Sequence, residues 1–386
     1  MEIYMKITFN RQEILNKIAP LMSVVSGKST ITAADGILIE ANCADSCNLT
    51  AFDLEKGMKI TVNAEVLEEG SYIINAQKFN QTLKVMDGDE ITLSVDSKLT
   101  ALFECGKSSH RTIALKAEDF PEIPDLQSEK GFVVNQGGLK KMLSKVSYAM
   151  GINEPRPVLN GCYIRTEEGK ISVVACDGFK LAVCSEEAEL KKLENSERGV
   201  DFSFIVPVKS VNEITKLLSD DEEDSVTVYM SHKNMVIVFE DLIFFTRLIV
   251  GEFVDYNRII IKNHKIEIKA SKQELIAALE KASLITEERI AGSVRAHVKI
   301  DVNADLFKVS AVSSAGSIYD ELNVEHSGDD ISIAFNNRFL IDSIRACRSD
   351  MIKISMSSPL MGINIEPCDE ESGEELFMLL PVRMRD

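Results

Sequence analysis

Three stretches of the chain carry the same order of apolar and polar positions. Met5-Lys-Ile-Thr-Phe-Asn-Arg-Gln-Glu-Ile-Leu-Asn-Lys-Ile18 alternates and then shifts to three- and four-residue spacing. Ile266-Glu-Ile-Lys-Ala-Ser-Lys-Gln-Glu-Leu-Ile-Ala-Ala-Leu279 repeats it, and Phe132-Val-Val-Asn-Gln-Gly-Gly-Leu-Lys-Lys-Met-Leu143 is a fainter copy between them. Alternation is the period of a half-buried strand and 3.6 that of an amphipathic helix, so each copy predicts a short strand running into a helix. Aligning Ile14, Leu139 and Leu275 gives offsets of 125 and 136 residues, each about a third of the 386-residue chain. The repeat therefore spans the whole sequence.

Each third contains the pattern twice. The second unit reads Tyr72 to Met86, Phe204 to Leu218 and Ile331 to Ile344, with helical stripes such as Phe79, Leu83, Met86 and Val211, Ile214, Leu217. Six helices are predicted, over 11–24, 76–86, 136–150, 207–218, 271–285 and 336–348. Between them lie alternating or β-branched runs such as Glu90–Val95, Lys170–Val174, Ser225–Tyr229 and Met351–Met356. Turn pairs such as Asp35-Gly36, Asp87-Gly88 and Glu168-Gly169 punctuate these runs. Such runs predict antiparallel sheets. The fold class is α+β: three similar domains, 1–128, 129–257 and 258–386, each of two strand-helix units. The joints fall in the polar, Pro-containing stretch Asp119 to Lys130 and in Asp255 to Lys265.

Composition adds a puzzle. The chain carries a net charge of -18, which taken whole opposes nucleic acid. The six predicted helices nevertheless carry +1, +2, +3, +1, 0 and +2, leaving -27 on the remainder. An amphipathic helix turns its polar face away from the core, so Lys17, Lys78, Lys84, Lys140, Lys141, Lys145, Lys209, Lys216, Lys281, Arg338, Arg345 and Arg348 are expected on outward faces. Six such helices on one surface would make a basic face on an acidic body. With no helix-turn-helix, finger or basic-zipper pattern and no tryptophan, that face predicts contact with phosphates rather than bases.

Chemistry is sparse. Ser26-Gly-Lys-Ser-Thr30 resembles the end of a phosphate-binding loop, but the first glycine of that motif would fall at Met22, so no nucleotide site is expected. Cys43 and Cys47 form the only close cysteine pair and no second pair or His cluster completes a zinc site, so neither metal nor cofactor is expected. No nucleophile elbow, metalloprotease pair or dinucleotide loop occurs, which points to a non-catalytic binding protein. No apolar run reaches the 18 or so residues of a membrane span, and the start lacks a signal core, so a cytoplasmic protein with reduced thiols is expected. These residues alone leave open a non-encircling scaffold, or an enzyme whose site is assembled between domains.

Four motifs carry a resemblance: Arg156-Pro-Val-Leu-Asn-Gly161, Ala175-Cys-Asp-Gly-Phe-Lys-Leu-Ala182, Gly251-Glu-Phe-Val-Asp-Tyr256 and Leu379-Leu-Pro-Val-Arg-Met384. In this order, on six strand-helix units, the chain resembles the bacterial DNA sliding clamps, the beta subunits of DNA polymerase III. The resemblance implies a head-to-tail homodimer closing a ring, sheets outside and helices lining the hole. Such a ring encircles duplex DNA without reading sequence and tethers the polymerase III alpha-type catalytic subunit. It implies a peptide pocket, shared by clamp loader, other polymerases and repair proteins, at Leu159, Cys176, Gly178, Phe179, Lys180, Leu181, Val254, Arg258, Ile259, Asn336, Phe339, Leu360, Gly362 and Met378, Leu379, Leu380, Pro381, Val382, Arg383, Met384. DNA contacts are implied at Lys28, Asn153 and Arg156, beside the helix residues Lys78, Lys84, Lys140, Lys141, Lys145, Lys209, Arg338 and Arg345. The dimer interface is expected to join Leu284 and Ile285 to the strand holding Arg111 and Thr112. The chain departs from the family at Thr32-Ala33-Ala34, where a Pro-Ile-Leu element is usual, and at Val254, where a proline is usual.

Overall fold

The computed structural model describes residues 3–25, 31–126, 130–167, 169–188, 190–192, 201–231, 233–286, 297–314, 316–369 and 374–384. The six helices are α1 (Arg11–Leu21), α2 (Ala76–Val85), α3 (Gln136–Ser147), α4 (Val208–Leu217), α5 (Lys272–Thr286) and α6 (Asn337–Ala346). Four of them start alike. Asn10, Asn75 and Asn135 end a strand, Asn336 directly follows one, and they accept, through the side-chain oxygen, from the backbone N–H of Glu13, Lys78, Gly138 and Phe339. A capping asparagine satisfies one of the orphan amides of the first helical turn, and so marks the strand-to-helix switch in the repeat. Ser271 does the same for α5, at 3.4 Å from Glu274 N.

The apolar stripes are buried as their spacing predicts: Ile14, Ile18 and Leu21 in α1; Phe79 and Leu83 in α2; Leu139, Met142, Leu143 and Val146 in α3; Val211 and Ile214 in α4; Leu275 and Leu279 in α5; Leu340, Ile341 and Ile344 in α6. The helices pack in sequential pairs, α1 with α2, α3 with α4 and α5 with α6. Pro20 sits in the last turn of α1, which ends three residues earlier than its periodicity suggests.

Two compact units emerge. One comprises Met1–Val134, Lys191–Arg198 and Ser225–Leu248; the other comprises Asn135–Leu190, Gly199–Asp224 and Ile249–Asp386. In the first, the strand Lys56–Asn63 pairs antiparallel with Leu242–Arg247, so the first third of the chain and part of the middle third share one sheet. In the second, Lys180–Glu187 pairs in the same way with Glu374–Leu379. The repeat equivalent of Lys56–Asn63 and Lys180–Glu187 is Gly316–Asn323, which ends a four-stranded sheet with one edge open among the described residues. The equivalent of Leu242–Arg247 and Glu374–Leu379 is Ser108–Lys116. It pairs with Thr100–Cys105 on one side but on the other only from Ala114 onward, leaving Ser108 to Ile113 with an open edge among the described residues. The same strand joint is thus made twice within the chain, and the two strands equivalent to its halves have no such partner among the described residues.

Candidate functional site

The residues expected to line a pocket fall within the second unit, around a tight turn. Asp177 accepts from Phe179 N and Lys180 N, both at 2.8 Å, and its other oxygen lies 3.0 Å from Lys180 Nζ. Gly178 turns the chain at φ +89°, a left-handed conformation suited to glycine. This geometry pushes the Phe179 ring outward, 61% exposed. The carbonyl of Phe179 accepts from Leu380 N at 2.9 Å, fastening the C-terminal segment beside the turn.

Leu159, Cys176, Leu181 and Met378 come together with Val174, Val183 and Leu376 in one buried cluster, against which Val158, Tyr163, Phe253, Val254, Tyr256 and Ile260 pack. Tyr163 stacks on Phe253 at 5.0 Å. Ile259, Leu360, Leu380, Val382 and Met384 remain exposed. Gly362 allows Leu380 to approach, since a Cβ there would lie 3.2 Å from Leu380 Cδ2. Pro381 is half-buried and Arg383 exposed; Val382 N donates to Ala334 O at 2.8 Å. Arg258 lies out in solvent, paired with Asp255 at 2.9 Å. Leu, Met and aromatic groups presented this way form an adaptable apolar surface.

Three of the expected lining residues play other parts. Lys180 is buried, and its ammonium lies 3.9 Å from the Phe339 ring centroid, so it ties the turn to α6 instead of offering charge to solvent. Asn336 uses its side chain as the α6 cap. Leu379 is fully buried on the strand face opposite Met378, the face from which Phe377 meets Tyr148. Side chains alternate along a strand, so Met378 and Leu379, the last two residues of the strand Glu374–Leu379, face opposite sides. Phe253 and Tyr256 lie within the motif Gly251 to Tyr256 but are not among the residues assigned to the site, and no motif holds Tyr163 or Met361; Leu360-Met361 is legible only as an apolar pair inside a polar turn. Burial raises the Cys176 thiol pKa, and it pushes that of Cys184 up to about 12, so these cysteines pack as neutral groups.

The basic face is partly neutralised. Lys78 and Lys84 are exposed with no carboxylate partner among the described residues. Lys140 pairs with Asp220 at 2.8 Å, Lys141 with Glu222, Arg345 with Glu280, Lys17 with Asp241 and Lys281 with Asp320. Arg338 is 3.9 Å from Asp342. Asn153, Arg156 and Lys209 are exposed, with Asn153 at φ +58°. Lys28 lies outside the described residues. Lys145 departs from the outward orientation expected of it. Its side chain is 19% exposed and reaches Glu375 at 2.6 Å and Glu186 at 3.7 Å, with the Glu375 side chain itself 1% exposed. Burial works against its charge, but the hydrogen bond to Glu375 and the neighbouring negative charges raise its pKa overall.

At the open edges, Leu284 is 74% exposed and Ile285 half-buried, while Arg111 points outward. Thr112 departs from expectation: strand alternation turns it inward, where it is buried.

The family comparisons cover the same span. The model for the DNA polymerase III beta subunit N-terminal domain matches residues 5–124, that for the central domain 133–255 and that for the C-terminal domain 257–381. The Beta sliding clamp of Chlamydia trachomatis serovar D is 27% identical over 383 residues, 99% of this chain and 88% of that one. That of Salmonella typhimurium is 28% identical over 384 residues, 98% of this chain and 100% of its own. The crystal structure of the DNA polymerase sliding clamp from Bacillus subtilis aligns with a TM-score of 0.91 over 99% of this chain and 100% of that one, at 21% identity, which shows a shared fold. With all three domain models matched in order along the chain, it belongs to the family of DNA polymerase III beta subunits, the beta sliding clamps.

Proposed function

We propose that the chain is a processivity clamp, a head-to-tail homodimer that closes a ring around duplex DNA and tethers the polymerase III alpha-type catalytic subunit. The observation that carries this reading is the pair of open strand edges. Lys56–Asn63 joins Leu242–Arg247, and Lys180–Glu187 joins Glu374–Leu379, within the chain. Gly316–Asn323 and Ser108–Ile113 are the matching halves of a third such joint and await a second copy. Heterologous contacts that close generate a ring. The edges also carry opposite charges, with Glu321 on one and Arg111 on the other.

Three domains per chain, 1–128, 129–257 and 258–386, would give six around the ring. The helices would face the phosphates and the acidic remainder would face solvent, reconciling a charge of -18 with DNA. The apolar groove beside Phe179 and Leu360 would take short peptides from clamp loader, other polymerases and repair proteins. The clamp itself would catalyse nothing and would work in the cytoplasm. Measuring the solution mass tests the core of this reading: twice the 42.8 kDa chain mass is expected at micromolar concentration. A stable monomer under those conditions would overturn it.

A further inference from the structure

We infer that the acidic loop 219–224 acts as a built-in phosphate mimic, occupying the lysines of α3 and limiting how tightly this face holds duplex DNA. The inference rests on the clamp reading above and concerns its DNA-facing surface.

The loop follows α4 and reads Ser219-Asp-Asp-Glu-Glu-Asp224. It is fixed against the start of α3. Gln136 N donates to Asp224 O at 2.8 Å, Gly137 N donates to Asp221 O at 3.2 Å, and Ser219 N donates to Gln136 Oε1 at 3.0 Å. Within the loop, Glu223 N donates to Asp221 Oδ1 at 2.9 Å. The approach is close enough to require glycine at 137: a Cβ there would lie 2.9 Å from Asp220 O and 3.0 Å from Asp221 O. The loop is therefore docked in one place, and its carboxylates are held over the first turns of the helix.

Two of those carboxylates take the two lysines that point from this part of α3. Lys140 Nζ is 2.8 Å from Asp220 Oδ1, and Lys141 pairs with Glu222. The Asp220 side chain is 90% exposed over a Lys140 that is itself only 23% exposed, while Lys141 and Glu222 are 57% and 65% exposed, so it is the carboxylates that meet an arriving phosphate first. Exposed ion pairs are weak and exchange readily, so a phosphate can displace a carboxylate here. The exchange removes much of the usual advantage, though. A bare lysine that neutralises a phosphate releases condensed counterions from DNA, whereas a paired lysine must first leave an anion of its own. The loop carries five carboxylates against these two lysines, so α3, the helix with the largest net positive charge, is opposed by the most acidic segment packed against it. Lys78 and Lys84 on α2 have no such cover among the described residues. A ring that must move along DNA gains from contacts that are made and broken easily.

The test is a fluorescence-anisotropy titration of a short labelled duplex by the full-length protein at several salt concentrations. The D220N/E222Q variant is expected to bind several-fold more tightly and to steepen the slope of log K against log salt by about 1.8, from about 0.9 for each of two freed lysines. The charge-matched variant E223Q/D224N, which unpairs no lysine, should change the slope by much less. In a K140A/K141A background the D220N/E222Q substitutions should lose their effect. Equal effects from the two loop variants, or a gain that persists without the lysines, would overturn the inference in favour of bulk charge. The variant K78A/K84A separates this from the clamp reading. If it weakens duplex binding while D220N/E222Q changes nothing, the mimic is refuted and the basic face stands. If no variant alters duplex binding, both are refuted.

Discussion

Replacing Lys145 by methionine probes the most demanding electrostatic arrangement in the protein. Glu375 has a side chain 1% exposed, accepts from Lys145 Nζ at 2.6 Å and from Arg348 N at 3.0 Å, and lies 3.8 Å from Arg348 Nη1. It sits in the strand Glu374–Leu379, which continues into the pocket segment, while Lys145 belongs to α3 and Arg348 follows α6. One carboxylate therefore ties two helices to the strand that ends at the pocket. A pair this buried does not stabilise much relative to apolar residues of the same size, but removing one partner strands the other charge, at a cost of about 3–5 kcal/mol. Arg348 remains nearby, so the lower end, about 3 kcal/mol, is expected for Lys145→Met. For a unit of this size that lowers the melting temperature by roughly 10 °C. Lys78→Met, at an exposed site without a carboxylate partner, should stay within about 0.5 kcal/mol.

The pH dependence gives the same prediction a second readout. The pKa of Lys145 is raised above its ordinary 10.5, and an amine whose folded pKa is raised contributes stability that is complete below 10.5 and lost as pH climbs through the folded value. Wild type and Lys145→Met should differ fully at neutral pH and converge only above about pH 10.5. Calorimetric melts of both proteins at pH 7 and above pH 10.5 provide the measurement. Equal melting temperatures for Lys145→Met and Lys78→Met at pH 7 would refute the hub. A double variant, K145M/E375L, should recover most of the loss, because it leaves no buried charge without a partner.

Other outcomes are expected at the pocket, the edge and the turn. Phe179→Ala with Leu360→Ala should weaken binding of a short glutamine- and leucine-containing peptide by about 30-fold, the effect of losing a binding hot spot worth about 2 kcal/mol, with unchanged melting temperature. Calorimetric titration reads this, and unchanged affinity would place the groove elsewhere. Leu284→Asp puts a charge on a surface expected to be covered by a second copy, so sedimentation should show dissociation to monomer; an intact dimer would remove Leu284 from the interface. Gly178→Ala strains a left-handed turn and should cost about 1 kcal/mol in urea unfolding; no loss would show that the turn tolerates a side chain.

The repeat made much of the fold legible because both strand and helix periods recur in it; the asparagines at 10, 75, 135 and 336, where one gives way to the other, are a further signal that periodicity alone does not use. Leu159, Cys176 and Leu181, taken from two of the motifs, do fall in one buried cluster, together with Met378. What stayed hidden depends on partners remote in sequence. Lys145 read as an outward cation on a helix, yet its partner Glu375 is 230 residues away. Lys141 and Glu222 are 81 apart. No local pattern announces such pairs. Leu379 and Thr112 were misplaced for a simpler reason: a motif carried over as a block ignores strand alternation, which assigns neighbouring residues to opposite faces. The open edges were invisible to a residue-by-residue reading, because an edge is defined by the absence of a neighbour.

Encirclement is the central claim, and retention on DNA tests it directly. The protein would be assembled with a clamp loader and ATP onto nicked circular duplex, then separated from free protein by gel filtration before and after the circle is cut once. Retention on the circle and loss from the linear form are predicted, because a ring has an exit only at a free end. Equal retention on both forms would contradict the ring.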